Sequence, residues 1–235
     1  MDAALAEARD ATAAASAHVG RRQWLPYVLP FALFLAFLSL ESLWPAERPW
    51  LYPVKTLVVA AALVACLPFY EELRPVFSFT GVLVGTLAIV LWIALDPFYP
   101  GLSRLTGGIP PAAFEPFSLG SPAASWTYIL ARIAGAVLVV PIMEELFWRG
   151  FLARWLVHPD FKAVPLGMFT PLSFWATVVL FGVEHEEWVA GMICGALLNG
   201  LLYRTKSLFA CVLAHATSNA LLAAWVLTHS DWQFW

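Results

Sequence analysis

Charge is what this chain has least of. Only 12% of its 235 residues are Asp, Glu, Lys or Arg, against about 25% in an ordinary soluble domain. That shortage excludes a water-soluble globular chain, and nothing in the charge pattern calls for a nucleic-acid partner. The formal net charge of −3 carries little information, because where the charges sit matters more than their sum. Cysteine is scarce too. Cys66, Cys194 and Cys211 lie inside apolar runs, without metal-ligand spacing and without the pattern of a disulfide framework, so they read as small core residues. Internal repeats, heptads and low-complexity tracts are absent beyond an alanine-rich start. The H-E-x-x-H helix of the usual zinc proteases is missing. A cleavable signal peptide is missing as well: Arg21-Arg22 precede an apolar stretch, but one long enough to span a membrane and to be kept as a first helix.

What the chain has instead is apolar length. Hydrophobic residues make up 61% of it and the mean hydropathy is +0.75. A spanning helix needs about 20 apolar residues. Seven segments qualify, at roughly 25–44, 51–70, 78–96, 125–157, 170–186, 188–204 and 206–228, which predicts an all-α polytopic transmembrane bundle. The fourth is too long for one crossing; at about 1.5 Å per residue it extends about 50 Å and must tilt or project. The organisation expected is a polar N-terminal segment at 1–23 and a single transmembrane domain at 24–235. Residues 97–124, rich in Pro and Gly, form the longest loop.

Lys and Arg set the orientation. With the N-terminus inside, cytoplasmic segments carry Arg9, Arg21, Arg22, Arg74, Arg149, Arg154, Lys162, Arg204 and Lys206; outer segments carry Arg48, Lys55 and Arg104. Nine against three predicts N-in and C-out, with the aromatic C-terminal HSDWQFW in the outer interfacial belt. The economy of the loops points to a bacterial inner membrane.

Polar groups inside the spans are expensive and tend to mark function. Three sets stand out. Glu145 and Arg149, four apart, can pair along one helix face; Glu144 is rotated about 100° from Glu145 and is left free to act. Pro141 removes the hydrogen bond to the Val137 carbonyl and should kink the helix. The second set is Phe181 and His185 in LFGVEHEEW, where Glu186 and Glu187 read as surface residues. The third is His215 and Asn219 in LAHATSN, four apart on one face. Asn199 and Arg132 have the plainer reading of hydrogen bonds to a neighbouring helix. Counted from the expected cytoplasmic helix ends, Glu144 and Asn219 lie about 20 Å deep, His185 about 22 Å, and His215 one turn shallower. Scattered structural hydrogen bonds have no reason to agree in depth.

A carboxylate, two imidazoles and a carboxamide around one point can hydrolyse an amide. The carboxylate with one imidazole activates water, and the other imidazole and the amide donate to the oxyanion. Ser218 and the cysteines lack a base–orienter pair, so an acyl-enzyme is weakly supported. Zinc held by Glu and His is the alternative.

EELFWR resembles the E-E-x-x-x-R motif of the CAAX protease and bacteriocin-processing (CPBP, or Abi) family of type II CAAX endopeptidases. FGVEH is similar to its F-x-x-x-H motif and HATSN to its H-x-x-x-N motif, in the family's order and on separate spans. The resemblance covers about 125–228. The wording VEHEEWVAG also resembles a CAAX-protease-related subgroup associated with bacterial exosortase systems. The resemblance implies an intramembrane endopeptidase of the glutamic type, with Glu144 and His185 activating the water, His215 and Asn219 forming the oxyanion site, and Glu145 pairing with Arg149 as structural support. It implies a protein or peptide substrate that is membrane-anchored or lipid-modified, membrane lipid as the other partner, and no obligatory cofactor, with a zinc-dependent version kept open. Two rivals remain: a non-catalytic Abi-type partner or immunity protein, and a proton-relay transporter, for which no inverted repeat is present.

Overall fold

The computed structural model describes residues 23–108 and 113–235. The expected polar segment at 1–23, with Arg9, Arg21 and Arg22, lies outside them but for its last residue. Seven long helices follow in order among the described residues: α1 Leu25–Leu43, α2 Arg48–Cys66, α3 Phe79–Leu95, α4 Pro122–Trp155, α5 Pro171–Val183, α6 Trp188–Thr205 and α7 Leu208–His229. No strand occurs among them. Five stretches, built on α1, α2, α3, α4 and α7, are long and apolar enough to cross a membrane. The 13 residues of α5 cover only about 20 Å, shorter than the span expected at 170–186, because the chain leaves the helix before Glu184.

The surface shows why this is an integral membrane protein. Leu57, Val64, Leu87, Leu130, Leu138 and Trp175 point outward, whereas Glu144, Glu145, Arg149, Ser173, Thr177 and Asn199 are buried. Apolar atoms outside and polar atoms inside suit lipid as the solvent, since every polar group must then find its partner within the protein.

Local chemistry sets the helix ends. Ser78 caps α3 by accepting from Gly81 N, Ser207 caps α7 by accepting from Ala210 N, and Thr170 with Ser173 forms a capping box on α5. Each cap satisfies donors that a helix start leaves orphaned. Prolines inside helices create the opposite problem, an orphaned carbonyl. Pro30 deprives the Pro26 carbonyl of its helical donor, and the Tyr70 hydroxyl donates to that oxygen at 2.7 Å.

Close approach of α3 and α7 follows from small residues. Gly81 and Gly85 are one turn apart, and a Cβ on them would come within 2.7 Å of the Ala210 carbonyl oxygen and 2.1 Å of the Ala214 carbonyl oxygen. This small-xxx-small seam lets backbones touch. It brings Trp92 of α3 beside the middle of α7. α6 packs on α5, α3 and α7, and α4 threads between α2 and α7, so the buried polar residues of α4, α5, α6 and α7 meet in the centre.

Candidate active site

α4 is not a regular α-helix. Two π segments, Gly135–Val139 and Leu146–Leu152, flank the α-helical turn Val140–Glu145. In the first, Val140 N donates to Gly135 O, five residues back. The next donor in that register would be residue 141, which is proline and has none. The carbonyl orphaned by Pro141 is therefore that of Ala136, not the expected Val137. Asn219 Nδ2 of α7 donates to it at 2.7 Å. One proline thus widens α4, and the widened turn pins an Asn from another helix while one amide hydrogen stays free.

Glu144 and Glu145 end the intervening turn, both buried, and take different directions as their angular separation predicts. Glu145 Oε1 accepts from Arg149 Nη1 at 3.1 Å and also faces His215 Nδ1 at 3.1 Å. Arg149, fully buried, donates further through Nε to Asn199 Oδ1 and through Nη2 to the Gly195 carbonyl, each at 3.1 Å. Asn199 Nδ2 then donates to Thr177 Oγ1 at 2.9 Å, and that hydroxyl donates to the Ser173 carbonyl at 2.7 Å. The expected pair of Glu145 and Arg149 is in fact the middle of a network tying α4, α5, α6 and α7 together. Asn199 bridges helices as its plainer reading had it. Arg132 lies over the Tyr52 ring at 4.9 Å and the Trp235 ring at 5.4 Å.

His185 sits just past the end of α5. Its Nδ1 lies 2.8 Å from the Phe181 carbonyl oxygen. A carbonyl only accepts, so Nδ1 carries the proton and the neutral ring keeps its lone pair on Nε2. Phe181 serves four groups at once: its ring lies 5.1 Å from the His185 ring, 6.1 Å from His215, 6.0 Å from Trp148 and 4.6 Å from the Arg149 guanidinium carbon. Trp92 meets His185 edge-on at 5.2 Å.

Glu144, His185, His215 and Asn219 all line one cavity of about 170 Å³, together with Trp92, Phe181, Cys194 and Phe234. Residues 75 positions apart in the chain thereby share one small polar space. Glu187 lines it too, and Glu186 accepts from Ser103 N at 3.1 Å and Ser103 Oγ at 2.5 Å. Neither is the plain surface residue the sequence pattern implied. Two carboxylate oxygens here are buried with no hydrogen-bond partner within the protein, Glu144 Oε2 and Glu145 Oε2, and Glu184 faces Trp148 close by. Burying such groups unpaired costs free energy, so each calls for a reason beyond packing. Sequence reasoning left Glu184 unplaced and missed Trp148, although Trp148 lies one helical turn from Glu144. It also missed Thr177, whose only signal was a hydroxyl in an apolar helix.

The donors do not form a metal cage: among the described residues, no three or more His, Cys, Asp or Glu side chains converge to hold an ion. What the cavity offers is an unpartnered carboxylate oxygen, imidazole lone pairs and an amide N–H, a set able to take a proton from water and to stabilise an oxyanion.

No curated protein and no solved structure matches the chain. A family model does, over residues 125–221, and its description is type II CAAX prenyl endopeptidase, Rce1-like. The matched stretch holds Glu144, Glu145, Arg149, His185, His215 and Asn219, and leaves α1 to α3 outside. From α4 into α7 the chain is thus similar to the Rce1-like type II CAAX prenyl endopeptidase family.

Proposed function

We propose that this protein is an intramembrane endopeptidase that cuts a peptide bond of a membrane-associated protein or peptide by water-mediated hydrolysis, without an acyl-enzyme. The observation that carries the reading is the convergence of Glu144, His185, His215 and Asn219, from two helices and a helix end, on one cavity.

Glu144 is the general base. Its Oε2 has no partner within the protein, so it can accept the proton of a water that His185 orients through Nε2. The hydroxide formed attacks the scissile carbonyl. Asn219 supplies its remaining amide hydrogen to the oxyanion. His215 has its Nδ1 turned to the Glu145 carboxylate, which aims the Nε2 edge of its ring at the oxyanion. As the C–N bond breaks, Glu144 returns its proton to the departing amine. Glu145 and Arg149 hold the frame and touch neither water nor substrate. Membrane placement follows the distribution of Lys and Arg, with the N-terminus inside and the C-terminus outside a bacterial inner membrane, and with 24–235 as one transmembrane domain.

The test is cleavage of a reconstituted membrane-anchored peptide library by purified protein. Native protein is expected to cleave it, with or without a zinc chelator, and Glu144→Gln is expected to cleave nothing. Loss of activity with chelator and recovery with zinc would move the base role to a metal-bound water. A folded native protein that cleaves no member would favour a non-catalytic membrane partner or immunity protein.

A further inference from the structure

The two ends of the bundle differ in charge, and the partly buried residues Glu187 and Phe234 of the cavity wall lie toward only one of them. At one end lie Arg74, Arg154, Lys162, Arg204 and Lys206, with Glu71, Glu72 and Asp160 as the acidic residues of its loops, tied together by Arg154 donating to Glu72, Lys162 to the Phe69 carbonyl and Lys206 to the Gly167 carbonyl. Arg21 and Arg22 precede α1, which starts at this end, in the sequence. At the other end lie Glu47, Asp96, Glu115, Glu186, Glu187 and Asp231, with Arg48 and Arg104 the basic residues of its loops. That end is tied together by Leu102 N donating to the Glu186 carbonyl, Trp188 Nε1 to the Pro100 carbonyl and Ala190 N to the Tyr99 hydroxyl. Two residues of the nine-to-three count leave it on structural grounds. Arg149 is buried in its network, and Lys55 is buried in a pair with Glu41 at 2.9 Å. Neither faces a loop, and the bias stands without them.

Between the cavity and the basic end the core is closed. Arg149, Thr177, Leu198, Leu202, Leu208 and Cys211 occupy that layer, and none is more than 2% exposed. Toward the acidic end the cavity wall includes Glu187 at the α5–α6 junction and Phe234 beyond α7, both only partly buried. The less buried part of the wall therefore faces the acidic end, while packed side chains fill the layer toward the basic one.

Basic loops stay on the cytoplasmic side. We infer that the cavity opens away from the cytoplasm, so that the bond cut lies in the extracytoplasmic, juxtamembrane segment of a membrane-anchored protein. The word "cut" rests on the hydrolase reading above; the sidedness does not. A peptide from this face descends past Phe234 and Glu187 to reach Glu144 near mid-membrane, since Glu144 lies 11 residues before the end of α4, about 16 Å from it.

The experiment reads accessibility without turnover. Single cysteines are placed at the basic end (Arg204→Cys), at the acidic end (His229→Cys) and in the cavity wall (Glu187→Cys and, as a second variant, Phe234→Cys). Each full-length chain in a bacterial inner membrane is treated with a membrane-impermeant maleimide, in cells whose outer membrane admits it. The native chain measures the background from Cys66, Cys194 and Cys211. The expected result is labelling at residues 229 and 187 or 234 without lysis, and labelling at residue 204 only after lysis. The reverse pattern at residues 204 and 229 overturns the inference. So does labelling at 229 with both cavity positions reached only after lysis. A protein that labels as expected yet cleaves nothing leaves the sidedness intact and sinks the hydrolase reading instead.

Discussion

Adjacent, chemically identical residues should respond to the same substitution in opposite ways. Glu145→Gln keeps size and shape, and its amide oxygen can still accept from Arg149. Among the described residues it removes the only carboxylate in contact with the fully buried Arg149 guanidinium, and it weakens the hold on His215 Nδ1. Leaving one partner of a buried pair uncompensated costs about 3–5 kcal/mol. At roughly 2–4 °C per kcal/mol for a chain of this size, the apparent melting temperature should fall by roughly 6–20 °C. Glu144→Gln is the contrast. Glu144 Oε2 has no partner to lose, and the substitution removes a charge from a poorly solvated place, so melting should stay level or rise. Turnover should vanish, because an amide cannot take the proton of water at neutral pH. The assay is thermal unfolding in detergent beside cleavage of a membrane-anchored peptide, for both variants. If Glu145→Gln melts with the native protein while Glu144→Gln unfolds early, the division of labour between the two glutamates is reversed and the mechanism above fails.

Three further outcomes rest on separate parts of the structure. Gly85→Leu forces α3 away from the Ala214 carbonyl; overpacking should cost about 1–3 kcal/mol or more, and both melting temperature and activity should drop, whereas Gly200→Leu, with open space around it and ordinary helical backbone, should lose less of both. Lys55→Met and Glu41→Gln should each destabilise by breaking a buried pair, and the double variant Lys55→Met with Glu41→Leu should recover stability relative to either single one; a double variant no better than the worse single one counts against the pair. Asn219→Ala orphans the Ala136 carbonyl at about 1–3 kcal/mol and removes an oxyanion donor, for a fall of about 10²–10³ in kcat; a change in KM alone would assign Asn219 to substrate binding.

The helices were legible because lipid demands long apolar windows, and their observed limits fall within a few residues of the expected ones. The fourth was legible as too long, and it covers 34 residues. The depth agreement of Glu144, His185 and Asn219 was legible from helical rise alone. What was not legible is tertiary. Glu145 meets His215 across 70 positions of chain, and no local pattern carries that contact. The carbonyl that Pro141 orphans is taken by Asn219, 83 positions away, a partner that the sequence of α4 by itself does not name. Glu186 looked like surface because charge usually is; it is held by Ser103, 83 positions away. The α3–α7 seam is a different case. Gly81 and Gly85 stand in the sequence as G-x-x-x-G, a readable packing signal.

The three motifs share one geometric device, a spacing of four, and the structure shows what each use of it achieves. A spacing of four stacks two side chains on one helix face. In E-E-x-x-x-R it joins Glu145 to Arg149, and that pair reaches out to α6 and α7. In F-x-x-x-H it puts the Phe181 carbonyl under His185 Nδ1 and so fixes which ring nitrogen carries the proton. In H-x-x-x-N it aims His215 and Asn219 at the same cavity while anchoring each to α4 at a different height, one on Glu145 and the other on Ala136. The motif letters with no chemical step to perform, Glu145, Arg149 and Phe181, are therefore the ones that orient the letters that have one. A cavity in lipid cannot rely on bulk water to solvate and reorient its groups. Its reactive atoms must be held by neighbours, and a motif in such a protein has to encode the holders together with the reactive groups.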